Sequence, residues 1–150
     1  MNHSLNKETL VTQVNAYAAA TTGAVTTAGT ILDLASPTEG IFDSVRFILS
    51  PAIVLATGTI VMKAFVGDES DLGDGAYATT QVSVLAPTPT TKSSIPVCLD
   101  VIRPGKRYVR LDYTLAVAST AINCVLAERY NSKIIPTLQP SDSKTSVNSL

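Results

Sequence analysis

The sequence predicts an all-β domain, an antiparallel sandwich or barrel, and three observations support this fold class. Thr, Val, Ile, Gly and Pro recur along the whole chain, and these residues favour strands and turns over helices. No window longer than about ten residues carries the apolar spacing of an amphipathic helix. Several short β-rich runs are separated by clusters of turn-forming residues, a punctuation that is typical of sandwiches and barrels. At 150 residues the chain has the length of one domain.

The candidate strands begin at residue 28 and are each rich in β-branched or aromatic residues. Turn chemistry separates them, namely SPTEG at 36–40, DESDLGDG at 68–75, PTPTTKSS at 87–94 and RPG at 103–105. In chain order the predicted strands are residues 28–34, 42–50, 57–66, 77–85, 95–102, 107–117 and 120–128.

Alternation within these strands predicts which face is buried. In the second strand, Val45, Phe47 and Leu49 point to one side and Arg46 to the other, as expected for a half-buried strand. The sixth strand repeats the pattern. Its apolar face consists of Val109, Leu111, Tyr113 and Leu115, and its opposite, charged face consists of Tyr108, Arg110, Asp112 and Thr114.

We therefore expect Leu111 to be a core residue and Arg110 to lie on a solvated face. On such a face Arg110 and Asp112 pair loosely, for about 0–1 kcal/mol. Leu111→Ala should then cost about 2–5 kcal/mol, and Arg110→Ala should stay within roughly 0.5 kcal/mol.

The ends of the chain differ from its middle, and they predict three parts: an N-terminal arm at 1–22, a sandwich domain at 23–130 and a C-terminal tail at 131–150. Residues 7–20 are compatible with a short helix or with an extended arm. The tail is polar and lacks periodicity, so it cannot bury enough area by itself to offset its ordering.

Composition excludes several classes of partner. The net charge of -1 provides no overall field for nucleic acid or for an anionic membrane surface. No apolar run reaches the roughly 20 residues of a membrane helix, and the N-terminus does not resemble a secretory signal. Cys98 and Cys124 could pair in an oxidising compartment, but without such a signal we expect both to be reduced and buried. We expect no cofactor and no metal.

Catalytic motifs are missing from the sequence. His3 is the sole histidine and lies near a terminus, which argues against triad chemistry, and no phosphate-binding glycine motif occurs. The acidic run DESDLGDG lacks the spacing of a calcium-binding EF-hand loop, so it is interpreted as a hairpin loop, with a calcium site as the alternative. The chain is therefore predicted not to be an enzyme.

A basic strip at the start of the sixth strand is the clearest candidate for binding. Lys106, Arg107, Tyr108 and Arg110 interleave cations with an aromatic ring, as on the stacking platform of an oligonucleotide-binding barrel. For these residues we favour a solvated strand end, and the oligonucleotide-binding platform is the alternative. As residues of a partner interface we single out Arg46, Arg107, Tyr108 and Arg110.

Within GKRYVRLDYTLAVASTAINCVLAE at 105–128, the sequence resembles the cement, or capsid decoration, proteins of tailed phages, of the type found in a Bordetella phage. The resemblance extends over about residues 14–130 and includes GTILDL, FDSVRFILS, GTIVMKAFVGDESDL and YATTQVSVL. It implies a jelly-roll-like β-sandwich with extended N- and C-terminal arms and without enzymatic activity.

The resemblance also implies a role and partners. Such a protein is a homodimer or homotrimer, is assembled in the host cytoplasm, and binds the outer surface of the phage head, where it bridges neighbouring major capsid subunits. Two alternatives remain: another virion component, such as a head fibre base or a tail-associated adaptor, and a small ligand- or nucleic-acid-binding β-barrel.

Overall fold

A computed structural model describes residues 9–16, 24–53, 59–85, 96–116 and 121–132, and every regular element in these ranges is a β-strand. No helix of the length and apolarity of a membrane span is found in the described ranges. In chain order the strands are β1 Leu10–Asn15, β2 Val25–Ala28, β3 Leu32–Asp33, β4 Ala35–Ser36, β5 Gly40–Ile53, β6 Thr59–Gly67, β7 Ala76–Leu85, β8 Val97–Ile102, β9 Tyr108–Ala116 and β10 Ala121–Ser132.

The strands form two antiparallel sheets. The first sheet has the order β1-β10-β5-β8, and the short β4 pairs with the start of β5. The second sheet has the order β2-β9-β6-β7, and the short β3 pairs with β9. These two interleaved sets of four strands are the arrangement of a jelly roll. The predicted fold class, a jelly-roll-like antiparallel sandwich, is confirmed.

The core lies between the sheets, and it consists of the inward residues of each strand. The predicted alternation is confirmed in both strands for which it was argued, because their apolar sets are buried and Arg46 is exposed. The most deeply buried apolar residues of these two strands are Val45, Phe47, Leu49, Val109, Leu111 and Tyr113. Ser44 is also fully buried, although the alternation places it on the outer side of β5.

Residues 10–15 of the predicted N-terminal arm are extended and form β1 at the edge of the first sheet. Leu10 and Val14 are buried in the core, so the helical alternative is wrong for these residues. Residues 1–8, 17–23 and 133–150, which include most of the predicted arm and tail, lie outside the described residues.

The single strand predicted at 28–34 is wrong, because the chain pairs with β9 in two separate pieces. Ala28 is opposite Asp112 and Leu32 is opposite Val109, so four steps along one strand match three along the other. The Gly29 amide donates to the Leu111 carbonyl at 2.8 Å, and the Thr30 hydroxyl donates to the Val14 carbonyl at 2.9 Å. These two hydrogen bonds connect the residues between β2 and β3 to β9 in the second sheet and to β1 in the first sheet.

Candidate partner interface

The four residues predicted to form one interface lie in two different sheets. Arg46 is on β5, and its side chain is on the outer face of the first sheet. Tyr108 and Arg110 are on β9 in the second sheet, and Arg107 immediately precedes that strand. Because the outer faces of a sandwich point in opposite directions, Arg46 and Arg110 cannot contact one flat partner surface together.

Arg46 lies at the centre of a charged row that crosses the first sheet. Its neighbours across the strands are Asp100 on β8 and Glu128 on β10. The guanidinium donates to both Asp100 carboxylate oxygens, at 2.9 and 3.3 Å, and lies 3.8 Å from Glu128 Oε2. The hydrogen bonds to Asp100 raise the pKa of Arg46. With Tyr130, whose ring centroid is 6.0 Å from Arg46 Cζ, these residues define the Arg46 face.

Arg107 is bound to the short β3 strand. Its guanidinium donates to both carboxylate oxygens of Asp33, at 2.9 and 2.8 Å, and lies 5.1 Å from the ring centroid of Tyr108. The hydrogen bonds from Arg107 hold the pKa of Asp33 below its usual value. Lys106 is paired with Asp68 in the loop between β6 and β7. Both cations of this part of the predicted strip are therefore engaged within the chain.

Arg110 is the centre of a cluster on the outer face of the second sheet. Its guanidinium donates to both oxygens of Asp112, at 2.7 and 3.0 Å, and lies 5.0 Å from the ring centroid of Phe65. The Tyr77 hydroxyl donates to Asp112 at 3.1 Å, and this bond raises the pKa of Tyr77. Lys63 lies 5.5 Å from the Tyr77 ring centroid. These five residues define the Tyr77 face.

The expectation of a solvated Arg110–Asp112 pair is wrong. Asp112 is only 5% exposed, although the alternation correctly places it on the outer side of β9. Phe65 on β6 and Tyr77 on β7 pack edge to face, with ring centroids 4.9 Å apart, next to Arg110 and Asp112. The side chains of Arg110 and Asp112 are only 22% and 6% exposed, and a charge–charge hydrogen bond in such a site is stronger than on an open surface.

Because Asp112 is buried, we expect Arg110→Ala to lower the free energy of unfolding by about 1–3 kcal/mol, the usual penalty for a buried acceptor that loses a partner. Urea unfolding of the purified chain measures this loss. The matched control is Arg46→Ala, which removes a similar bidentate pair whose side chains are 44% and 38% exposed, and which should stay within about 0.5 kcal/mol. Equal losses in the two variants would contradict the prediction.

Arg129 is the polar residue that the sequence reasoning missed, since the last predicted strand ended at residue 128. It lies on the inner side of β10 and is 1% exposed. Its guanidinium donates to Glu39 at 2.7 Å, to the Asp33 carbonyl at 3.0 Å and to the Thr12 hydroxyl at 3.1 Å. Extending the alternation of Val125 and Ala127 by one step would have placed it inward.

Arg107 and Arg129 together hold the segment that passes from one sheet to the other. β3 pairs with the second sheet and β4 with the first, and Asp33 is the last residue of β3, two positions before β4 begins. Arg107 binds the Asp33 carboxylate, while Arg129 binds the Asp33 carbonyl. Both guanidinium groups near this segment therefore have a structural role.

The acidic loop between β6 and β7 is organised by Asp74. Its carboxylate accepts hydrogen bonds from the backbone amides of Asp68, at 2.9 and 3.1 Å, and Glu69, at 3.0 Å, and these bonds lower the pKa of Asp74. The loop joins the antiparallel strands β6 and β7, so the prediction that it connects a hairpin is confirmed. In the described part of the chain, no three His, Cys, Asp or Glu side chains are grouped as metal ligands.

The two cysteines are free, but the expectation that both are buried is wrong. Cys98 on β8 is exposed and Cys124 on β10 is half-buried. Both occur at outward positions of the first sheet, opposite Ile48 and Ser50 of β5 respectively.

A depression of about 380 Å³ lies where the β8–β9 turn meets the start of β5. Leu34 and Phe42 contribute its apolar part, and Arg103 and Lys106 contribute two cations. Arg103 is 3.5 Å from Asp43, and Lys106 is paired with Asp68. Both cations of the depression are therefore already paired with a carboxylate of this chain.

No protein-family model and no curated protein matches the chain. Among solved structures, it is similar to chains in the structures of two strains of infectious bursal disease virus. For the Gt strain the TM-score is 0.46 at 12% identity, and for the Gx strain it is 0.43 at 10% identity. Each match covers 85% of this chain and 33% of the other chain, so this chain spans about a third of the length of either one.

Proposed function

We propose that the protein is a structural, non-enzymatic component of a tailed-phage head, where it binds the outer surface of the capsid and holds neighbouring major capsid subunits together. It acts as a homodimer or homotrimer on the surface of the virion. The resemblance of residues 105–128 to cement proteins supports this proposal, together with the jelly-roll fold in which those residues form β9 and much of β10.

One observation supports a binding role most directly: both sheets carry arginine–aromatic clusters on their outer faces. Arginine and tyrosine are over-represented among residues that dominate binding energy at interfaces. On the Tyr77 face, Tyr77 is 53% exposed, and its hydroxyl is bonded to the buried Asp112. A ring that is anchored in this way loses little side-chain entropy when a partner covers it.

The Tyr77 face is the proposed contact with capsid subunits. Lys63 lies against the Tyr77 ring and Arg110 against the Phe65 ring. Because Arg110 is paired with Asp112, the face offers an aromatic patch whose positive charge comes from Lys63. Binding of many copies to the assembled shell, and not to free subunits, shifts the equilibrium toward the assembled state by mass action. Simultaneous contacts with several subunits multiply weak individual affinities.

The test is re-addition of the purified chain to heads stripped of it, followed by sedimentation and quantification of bound copies. We expect a fixed number of copies per head and a raised resistance of the shell to heat. Tyr77→Ser should weaken binding about 30-fold, as for a residue worth about 2 kcal/mol at an interface, and Tyr77→Phe should weaken it less.

Ser70→Ala, at an exposed position of the β6–β7 loop, is the control and should bind like the wild type. Absence of saturable binding to heads would overturn the proposal. Retention on tails would indicate a different virion component, and salt-dependent retention on DNA that falls in Arg107→Ala and Arg110→Ala would indicate a nucleic-acid binder.

A further inference from the structure

We infer that the Arg46 face is the contact between two copies of this chain, related by a two-fold axis that runs parallel to the strands between β5 and β10. The inference rests on the self-association in the proposed function and assigns a surface and a symmetry to it. It is argued from the register of the first sheet and from the exposure of that sheet's outer residues.

The outer side of the first sheet has exposed aliphatic residues on both flanks of its charged row. Ile102 on β8 is 67% exposed and Val11 on β1 is 45% exposed. Between them, Ile48 on β5 and Leu126 on β10 are neighbours across the strands, and both are half-buried. A solvated face is not expected to place large aliphatic residues on all four of its strands.

The register gives the centre of this face two rows that a partner could contact, each with one residue from β5 and one from β10. Ile48 is beside Leu126, and Arg46 is beside Glu128. The rows are thus apolar with apolar and cation with anion. The next row offers only Tyr130, because Ser44 beside it is fully buried.

A two-fold axis between β5 and β10, parallel to them, exchanges these two strands between copies. Arg46 of one copy then lies opposite Glu128 of the other, and Ile48 lies opposite Leu126. Each row is therefore complementary to itself, and the charged pair occurs twice. Aligned packing of two sheets at a distance of about 10 Å is the usual geometry of sheet-on-sheet contacts.

Other two-fold axes fit this face less well. An axis across the strands through the charged row places Arg46 opposite Arg46 of the second copy, and like charges in an interface cost several kcal/mol. An axis between β5 and β8 pairs Arg46 with Asp100, but only two strands of each sheet then face the second copy. With the axis between β5 and β10, all four strands of each sheet face the second copy.

The size of the face predicts a weak dimer. Four strands that are spaced by about 4.8 Å and are on average about nine residues long give a surface of roughly 19 by 30 Å, on the order of 600 Å² per copy. Standard interfaces bury about 800 Å² per partner. We therefore expect a dimer whose population depends on protein concentration.

The decisive experiment is a charge exchange between copies, measured by light scattering and sedimentation over a range of concentrations. In the proposed dimer, Arg46→Glu alone and Glu128→Arg alone each place like charges opposite each other twice. Each variant should raise its own dissociation constant more than about tenfold. An equimolar mixture should dimerise again, because the introduced glutamate then faces the introduced arginine and the native Glu128 faces the native Arg46.

Three further measurements distinguish loss of the dimer from misfolding of a variant. Lys63→Glu, a matched charge reversal on the outer face of the second sheet, should dimerise like the wild type. Alkylation of the exposed Cys98, which the second copy covers, should slow as the concentration rises in the wild type and stay constant in Arg46→Glu. Thermal unfolding of each variant verifies its fold.

A wild-type chain that stays monomeric would overturn the inference, as would a mixture no tighter than its components. Re-addition to heads is measured separately, so loss of this dimer and loss of capsid binding are distinguishable. Saturable binding to heads by a monomeric chain would refute the dimer and leave the proposed binding to the capsid standing.

Discussion

Arg129→Ala is expected to lower the free energy of unfolding by about 2–4 kcal/mol, because hydrogen-bond acceptors lose their donor and a buried side chain is truncated. The Asp33 carbonyl and the Thr12 hydroxyl each lose a hydrogen bond. The Glu39 carboxylate loses one as well, but its side chain is 42% exposed, so water replaces the lost donor. The side chain also lies against Phe42, with Cζ 5.4 Å from the ring centroid, so a cavity is left in the core. Urea unfolding at constant m-value measures the loss.

Arg129→Met separates packing from hydrogen bonding. Methionine retains most of the buried volume, and well-packed apolar replacements of buried ions are often near neutral, so we expect at most about half of the alanine penalty. The Nε atom of Arg129 has no hydrogen-bond partner among the described residues, and removing it leaves no further group unsatisfied. A loss below about 1 kcal/mol in Arg129→Ala would show that Arg129 does not hold the β3–β4 segment.

Leu111→Ala is expected to lower the free energy of unfolding by about 2–5 kcal/mol, as for other leucine truncations in a core. Leu111 is fully buried on β9, and its neighbour across the strands is Ala64 on β6, a small residue that cannot fill the space left by the substitution. The measurement is urea unfolding, with Thr114→Ala as control on the same strand.

Thr114 faces outward, and its hydroxyl is hydrogen-bonded to that of Thr26 at 2.9 Å in an exposed position, so its loss should stay within about 0.5–1 kcal/mol. If Thr114→Ala were as damaging as Leu111→Ala, the assignment of the inner and outer faces of β9 would be wrong.

The core of the two central strands was predictable because strand periodicity is local. Phe47 and Leu111 are inward for the same reason: each occupies alternate positions with other apolar residues, and a half-buried strand has a period of two. Turn chemistry likewise predicted the RPG turn, where Arg103 and Gly105 both have positive φ. Neither feature depends on which strands become neighbours.

The predicted interface was not found as one surface, because its charged residues are bound by side chains that are distant in the sequence. Arg107 and Asp33 are 74 residues apart, and Tyr77 and Asp112 are 35 residues apart, so no local pattern indicates that these charges are already paired or covered. The exposed Cys98 has the same cause, since its exposure depends on β8 pairing with β5 on one side only.

The sequence by itself determined the all-β class, the inward and outward residues of the central strands, the hairpin nature of the acidic loop, and a jelly roll through a resemblance. Only the tertiary structure decided that Arg46 and Arg110 lie on opposite faces, that Asp112 is buried next to Arg110 and Tyr77, and that Arg129 is buried on the inner side of β10. The physical reason is that alternation follows from the geometry of one strand, whereas the burial and pairing of a charge depend on side chains brought to it by strand order.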